Sequence, residues 1–238
     1  RPCATVRGLI DMSSSTVPLM AVARALAHDL DDLRWTTPSH VYNPLHYAWD
    51  GYRQFLQRFG RQRGRVLLVG MNPGPGGMAQ TGVPFGNISA VHDWFHIDMQ
   101  LAPDLPDQHP KYPILGMACH RDEGSGKRLW GWAQQRVGSA EQFFERFFVW
   151  NYCPLLFLAN NRNLIPSALT AAERRPLEAL CTTAFSRAVA LLQPAAIVPA
   201  MLVLACPQAP NRTILCAGGG SFEAAHITLT SGVHFGVA

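Results

Sequence analysis

The stretch that decides the fold is "RVLLVGMNPGPGGMAQTGVPFG", residues 65–86. Its first part, Val66 to Val69, is apolar without alternation, the pattern of a strand buried on both faces as in a parallel sheet. Its second part, Gly70 to Gly86, holds six glycines and three prolines in seventeen residues. Glycine lets a backbone approach a ligand closely, and proline at 73, 75 and 84 predicts a stiff, non-helical loop. No Gly-Lys-Ser/Thr follows, so the loop is not a P-loop, and no G-x-G-x-x-G opens a helix. A purely structural turn is the plain alternative. Asn72 and Gln80, whose amides both donate and accept, and Phe85, with an aromatic face to offer a planar ring, argue for a ligand instead.

Working outward, "HYAWDGYRQFLQRFG" (46–60) sets Tyr52, Phe55, Leu56 and Phe59 at helical spacing, with Gly60 at the C-terminal cap. Residues 1–33 read as a leader, part helix ("LMAVARALAHDL") and part flexible. Downstream, "YPILGMAC" (112–119) is a second apolar segment, and "RFFVWNYCPLLFL" (146–158) is a third, broken at Pro154. Between them "GKRLWGWAQQRVG" and "SAEQFFERFF" predict helices. Residues 170–192 predict another, with Thr170 and Glu173 spaced as a capping box and Pro176 delaying its regular part. "AAIVPAMLVL" (195–204) suits a strand at a sheet edge or ending near Pro199. The alternation predicts an α/β fold: an open, mostly parallel central sheet flanked by helices, with Rossmann-like layering. Ligands bind such sheets at the carboxyl ends of the strands, where "GMNPGP" and "NYCPLL" both lie.

Composition narrows the class. The 238 residues are 48% hydrophobic and 15% charged, as in ordinary globular proteins. No apolar run reaches the roughly 18–20 residues of a membrane span. Without a signal-peptide pattern the expectation is an intracellular protein, nuclear if eukaryotic, cytoplasmic or at the nucleoid if bacterial. Net charge is +4, from 18 arginines and two lysines, Lys111 and Lys127, against 16 acidic residues. Arginine suits bidentate phosphate contacts. "RFGRQRGR" (58–65) therefore offers Arg61, Arg63 and Arg65 as a DNA-backbone patch, with a solvated loop as the plain alternative. None of the six cysteines forms a Cys-x-x-Cys pair, which argues against a zinc ribbon or a four-cysteine iron–sulfur site and for free thiols. His92 and His96 stand one helical turn apart without a third ligand, so no metal and no cofactor is expected. Asn151 ends an apolar strand, either as its cap or as a reader of a ligand edge.

At these motifs a family resemblance emerges. "YNPLHYAWDGYRQF", "VLLVGMNPGPGGMAQTGVPFG", "HPKYPILGMAC", "SGKRLWGW" and "VWNYCPLLFL…NRNLIPSAL" follow the order and spacing of the single-strand-selective monofunctional uracil-DNA glycosylases, the third family of the uracil-DNA glycosylase superfamily. The resemblance spans about residues 41–198. It implies a base-excision repair enzyme, a monomer without a membrane, that flips uracil or a 5-oxidised uracil such as 5-hydroxymethyluracil out of single- or double-stranded DNA and hydrolyses its N-glycosidic bond. Carried over by position, Asn72 would orient the attacking water and Phe85 would stack on the flipped base. Asn151 would bond the uracil edge and reject cytosine, and Met71 and Gly74 would line the wall beside C5, with room for a hydroxymethyl group. A strand-cleaving lyase needs a buried, activated lysine. Lys111 and Lys127 sit in polar or turn-like sequence, so the expectation is monofunctional.

The tail departs from that family. Its second motif, a His-Pro-Ser-Pro-like loop that stabilises the leaving base and wedges the duplex, has no counterpart in "CPQAPNRTILCAGGGSFEAAHITLTSGVHFGVA", and neither His226 nor His234 is followed by it. The segmentation is thus a leader (1–33), a glycosylase-like domain (34–198) and a divergent end (199–238). Two readings of that end stand: an aberrant terminus of a glycosylase, by splice, frameshift or truncation, or a catalytically impaired nucleic-acid-binding relative. A hydrolase of free nucleosides is a third, distant reading, which would need no basic DNA-facing surface.

Overall fold

Buried apolar runs and well-capped helices set the order of elements. In the computed structural model, which describes residues 16–121 and 123–200 and the backbone of strands at 225–230 and 232–237, the chain begins with α1 (Thr16–Asp29), β1 (His40–Tyr42), α2 (Pro44–Tyr47) and α3 (Trp49–Phe59). Next come β2 (Val66–Gly70), α4 (Met78–Thr81), α5 (Gly124–Val137), α6 (Ala140–Arg146) and β3 (Phe147–Asn151). Then follow β4 (Leu156–Ala159), β5 (Arg162–Leu164), α7 (Ala171–Leu192), β6 (Ala196–Pro199), β7 (Ala225–Thr230) and β8 (Gly232–Val237).

The apolar run of the opening stretch is the centre of a parallel sheet ordered β3-β2-β6. Val66 to Gly70 face Phe147 to Asn151 on one side, and Val66 to Val69 face Ala196 to Pro199 on the other. Among the described residues β6 is an edge strand, and Pro199 ends it, a position that tolerates proline. The chain's break at Pro154 sends the next strand into a second sheet, the antiparallel β1-β4-β5. The α/β class and its parallel sheet hold, and the antiparallel sheet adds to them. β7 and β8 pair antiparallel with each other. Residues 201–224, including "RTILCA", lie outside the described residues, as do the side chains of His226 and His234.

Aromatic packing fills the space between α3 and the sheet. Phe55, Phe59, Phe95, Phe144 and Phe148 are all buried; Phe59 and Phe144 stack at 4.0 Å between ring centroids, Phe55 and Phe148 at 5.5 Å. The helical face expected from Tyr52, Phe55, Leu56 and Phe59 is the one that is buried. Cys119, Cys153 and Cys181 are free thiols in the interior.

Two expectations change, and the apolar segment at 112–119 gains a structure. The leader boundary at residue 34 is too late, because Leu19, Ala23 and Ala27 of α1 sit in the same core as Phe55. "YPILGMAC" forms no strand. Ile114 N–H donates to Gln108 Oε1 and Leu115 N–H to Gln80 Oε1, each at 2.8 Å, so side chains satisfy its amides, and a 3₁₀ turn follows at Gly116–Ala118. The glycine-rich loop is also not wholly non-helical: α4 forms one turn, closed by Gly82 at φ 73°. A Cβ at Gly82 would collide with the Ala48 carbonyl, so both backbone angle and space call for glycine.

The helix α7 starts at Ala171, ahead of Pro176, because its first turn is pinned from outside. The Thr170–Glu173 capping box forms as expected. Glu173 also accepts from the Thr36 and Thr37 amides at 2.6 and 2.7 Å and from the Thr37 hydroxyl at 2.6 Å. Pro176 and Ala172, whose carbonyl loses its partner, lie on the exposed side. Burial pushes the Glu173 carboxyl up, yet the bonds from Thr37, Thr36 and Thr170 together outweigh it and hold it well below the usual range. A carboxyl lowered on folding contributes stability above its unfolded value, near 4.5, that drains away as pH falls below it. Glu173→Ala should lower stability at pH 7 by about 2 kcal/mol or more. It should also flatten the loss of Tm between roughly pH 5 and pH 3. Thermal melts across that range check both.

Candidate active site

Three parallel strands end at the same level, and their ends enclose a cavity of about 130 Å³. An engineered apolar cavity of about 150 Å³ admits benzene, so this is space for a single six-membered ring. Val69 and Gly70 of β2, the turn from Met71 to Gly74, Asn151 of β3 and Pro199 of β6 line it, with Met78, Phe85, Glu123 and Ser125. The pairing of β2 with β3 continues past the strand ends: Tyr152 N–H donates to Gly70 O at 2.8 Å and Cys153 N–H to Met71 O at 2.9 Å. The two sequence-predicted loops are thereby held against each other.

Gly70 is the pivot of this arrangement. A Cβ there would stand 2.6 Å from Phe85 Cε2 and would collide with Asn151 Oδ1. Only a bare backbone lets the amide and the ring converge over the end of β2. Asn151 is 7% exposed, and its Nδ2 reaches Met78 Sδ at 3.2 Å, a weak acceptor that leaves the amide available. Phe85 is held at φ 56°, a left-handed conformation costly for an aromatic residue. Its carbonyl accepts from Trp130 Nε1 at 2.8 Å and from Asn87 N–H at 2.9 Å, which fixes the ring's direction.

Asn72 is oriented by its neighbours. Nδ2 donates to Leu164 O at 3.2 Å and Leu155 O at 3.4 Å; two carbonyls can only face the donor end of an amide. Among the described residues no donor reaches Oδ1, so an acceptor is presented on the cavity side. Met71 is 42% exposed at the mouth, and Gly74 forms the wall nearest Glu123.

The structure thus brings together Met71, Asn72, Gly74, Phe85 and Asn151, and leaves the arginines out. Arg61 and Arg63 are exposed but precede β2, at the opposite end of the strand from the cavity. Arg65 corrects the expectation of a DNA contact: it is 5% exposed and donates from Nη1 to Phe59 O at 2.7 Å and Phe144 O at 2.8 Å. Its guanidinium lies 4.6 Å from the Phe148 ring, and burial pulls it down to about 10. Gln80 is structural as well. At 2% exposure it donates to Pro75 O and Pro113 O and accepts from Leu115 and Gly116 N–H, clamping the loop rather than facing a ligand. His92 pairs with Asp93 on the surface, in a π turn rather than on a helical face shared with His96. Among the described residues no group of three His, Cys, Asp or Glu stands ready for a metal ion, and no helix is long and apolar enough to cross a membrane.

Sequence reasoning missed Glu123. It caps α5, its carboxylate accepting from Gly126 N–H and, at 3.3 Å, from Ser125 N–H. Burial raises its carboxyl above the ordinary value, partly offset by those two backbone donors. The only signal was an acidic residue ahead of Gly-Ser-Gly, and glutamate is not among the preferred N-caps.

No protein-family model matches the chain. The single-strand selective monofunctional uracil-DNA glycosylase of Rattus norvegicus is 46% identical over 167 residues, 69% of this chain and 59% of that protein. The protein of that name from Mus musculus is 45% identical over 166 residues, with the same shares, and that from Bos taurus 46% over 153, 64% of this chain and 56% of the relative. The chain spans less than two thirds of the length of these relatives. The crystal structure of wild-type Pedobacter heparinus SMUG2 superposes with a TM-score of 0.46 at 18% identity, over 74% of this chain and 72% of that one. Over its matched residues, the chain is homologous to the single-strand selective monofunctional uracil-DNA glycosylases.

Proposed function

We propose that this chain removes uracil, and uracil oxidised at C5, from DNA by hydrolysing the N-glycosidic bond without cutting the strand. One observation carries the reading: an amide acceptor (Asn72), an aromatic face (Phe85) and an amide at a strand end (Asn151) converge on a cavity sized for one pyrimidine ring. The names of the relatives support it, as does the exposure of both lysines, neither of which lines the cavity.

The chemistry follows from those groups. Extruding the base costs a few kcal/mol, least from single-stranded or mismatched DNA, and stacking on Phe85 offsets part of it. Asn151 Oδ1 accepts from uracil N3–H and its Nδ2 donates to O4; cytosine presents the reverse pattern and leaves both unmatched. As the C1′–N1 bond breaks, its electron pair leaves with the base and positive charge builds on the sugar. Asn72 Oδ1 accepts a hydrogen bond from a water and aims its oxygen at C1′. An oxocarbenium-like centre accepts water directly, so a neutral amide suffices. The water oxygen bonds to C1′, and its proton leaves to solvent or to the departing base.

The basic groups beside the cavity are not those of "RFGRQRGR". Lys111 and Arg121 are exposed next to the glycine loop, where Arg121 O packs beside Gly76 and Arg121 Nη2 donates to Lys111 O at 2.9 Å. Arg162 is exposed on β5, the strand whose end holds Asn72. As phosphate contacts, Lys111→Ala and Arg121→Ala should each weaken oligonucleotide binding and lower the slope of log K against log salt by about 1. Arg65→Lys should leave that slope unchanged. Fluorescence anisotropy from about 50 to 200 mM salt distinguishes them.

The proposal is tested by single-turnover release of free uracil from a single-stranded oligonucleotide by the full chain. Release that leaves an intact strand with an abasic site supports it. Binding without release supports the second reading, an impaired relative, in line with residues 199–238, which carry no His-Pro-Ser-Pro-like motif.

A further inference from the structure

We infer that Glu123 is a specificity-determining residue of this pocket, reading the C5 substituent of the bound base through its carboxylate; the inference rests on the function proposed above. Glu123 lines the cavity with Asn72, Phe85 and Asn151. It belongs to a different element, the start of α5, and reaches the cavity because two glycines leave the loop wall open to it. A Cβ at Gly74 would stand 3.2 Å from Glu123 Oε1, and one at Gly77 would stand 2.6 Å from its Cγ. The carboxylate therefore lies directly behind Gly74, the wall assigned to the C5 side of the base.

The remaining valence of the group gives it something to read. A carboxylate has about four acceptor positions. The Ser125 and Gly126 N–H groups occupy two of them and the Ser125 hydroxyl a third, which leaves room for a donor from a ligand. Arg128 is the cation that bears on Glu123, and its Nε donates to Gly124 O at 3.1 Å rather than to the carboxylate. Burial disfavours the bare charge and makes a donor from the ligand worth more. A hydroxymethyl group on C5 carries such a donor. Unsubstituted uracil offers only C–H there. A carboxyl group on C5 would set two anions against each other. The pocket is thus built to favour a C5 hydroxyl and to oppose a C5 carboxylate.

The test compares oligonucleotides carrying uracil, 5-hydroxymethyluracil or 5-carboxyuracil, using the full chain and two variants. Glu123→Ser keeps a side chain able to cap α5 but withdraws the acceptor from the wall. Glu123→Gln keeps the size and removes the charge. The readout is the ratio of single-turnover rates between bases, which a change in folding or general activity would leave alone. The ratio of 5-hydroxymethyluracil to uracil should fall about ten-fold or more in Glu123→Ser, the worth of one charge-assisted hydrogen bond. The ratio of 5-carboxyuracil to uracil should rise in Glu123→Gln. Unchanged ratios in both variants overturn the inference even if each rate drops. Should the unaltered chain release none of the bases, the glycosylase reading fails separately, and the same ratios are taken from the Kd values of the three oligonucleotides.

Discussion

Asn72→Ala is expected to lower the single-turnover rate of uracil release by about 10²–10³-fold while the affinity for the oligonucleotide changes by only a few-fold. The reason is the division of labour within one amide. Its nitrogen end holds Leu155 O and Leu164 O, and its oxygen end faces the cavity. On the proposed mechanism alanine removes the acceptor that orients water, a contribution realised in the transition state. It leaves the stacking and edge contacts of Phe85 and Asn151 in place. The two carbonyls it strands cost about 1 kcal/mol each in stability, a loss readable separately by melting. A rate that survives the substitution would remove Asn72 from the chemistry. A rate and an affinity that fall together would make it a binding or loop-holding residue instead.

Gly70→Ala should produce the complementary loss. A Cβ at that position overlaps Asn151 Oδ1 and lies 2.6–2.7 Å from the Phe85 ring. Something must move, and the movable atoms are the two groups proposed to hold the base. The Phe85 backbone cannot follow, since its left-handed conformation is fixed through Trp130 and Asn87. The expected result is at least a 10²-fold fall in release, since small misplacements of reacting groups have effects of that order. Selectivity for uracil over cytosine should fall with it. Global stability should drop only about 1–3 kcal/mol, the usual cost of overpacking. Circular dichroism and a thermal melt on the same preparation separate lost geometry from lost folding. Full activity in Gly70→Ala would mean that Asn151 and Phe85 do not converge over β2 when the base is bound.

These two variants mark the boundary between what could be read and what had to be seen. The apolar run from Val66 to Val69, the helical face of Tyr52, Phe55, Leu56 and Phe59, the break at Pro154 and the Thr170–Glu173 cap follow from period, proline chemistry and capping. Those are local rules, so the sequence determined them by itself. It also named Met71, Asn72, Gly74, Phe85 and Asn151, which the fold brings to one cavity, because each sits in a motif specific enough to carry a family resemblance.

The tertiary structure decided what depends on pairs of residues far apart in the chain. It buried Arg65 between the Phe59 and Phe144 carbonyls, since a cation beside a strand start has no local signature of its partners. It turned "YPILGMAC" away from a strand because Gln80, some thirty-five residues earlier, takes its amides. It drew α1 into the core, where a stretch of alanines read alone says little about what it packs against. And it brought Glu123 to the pocket wall, where two glycines in a loop some fifty residues upstream leave room for its carboxylate. Spacing along a chain encodes which face is apolar; which charge is buried, and beside what, is fixed only when distant segments meet.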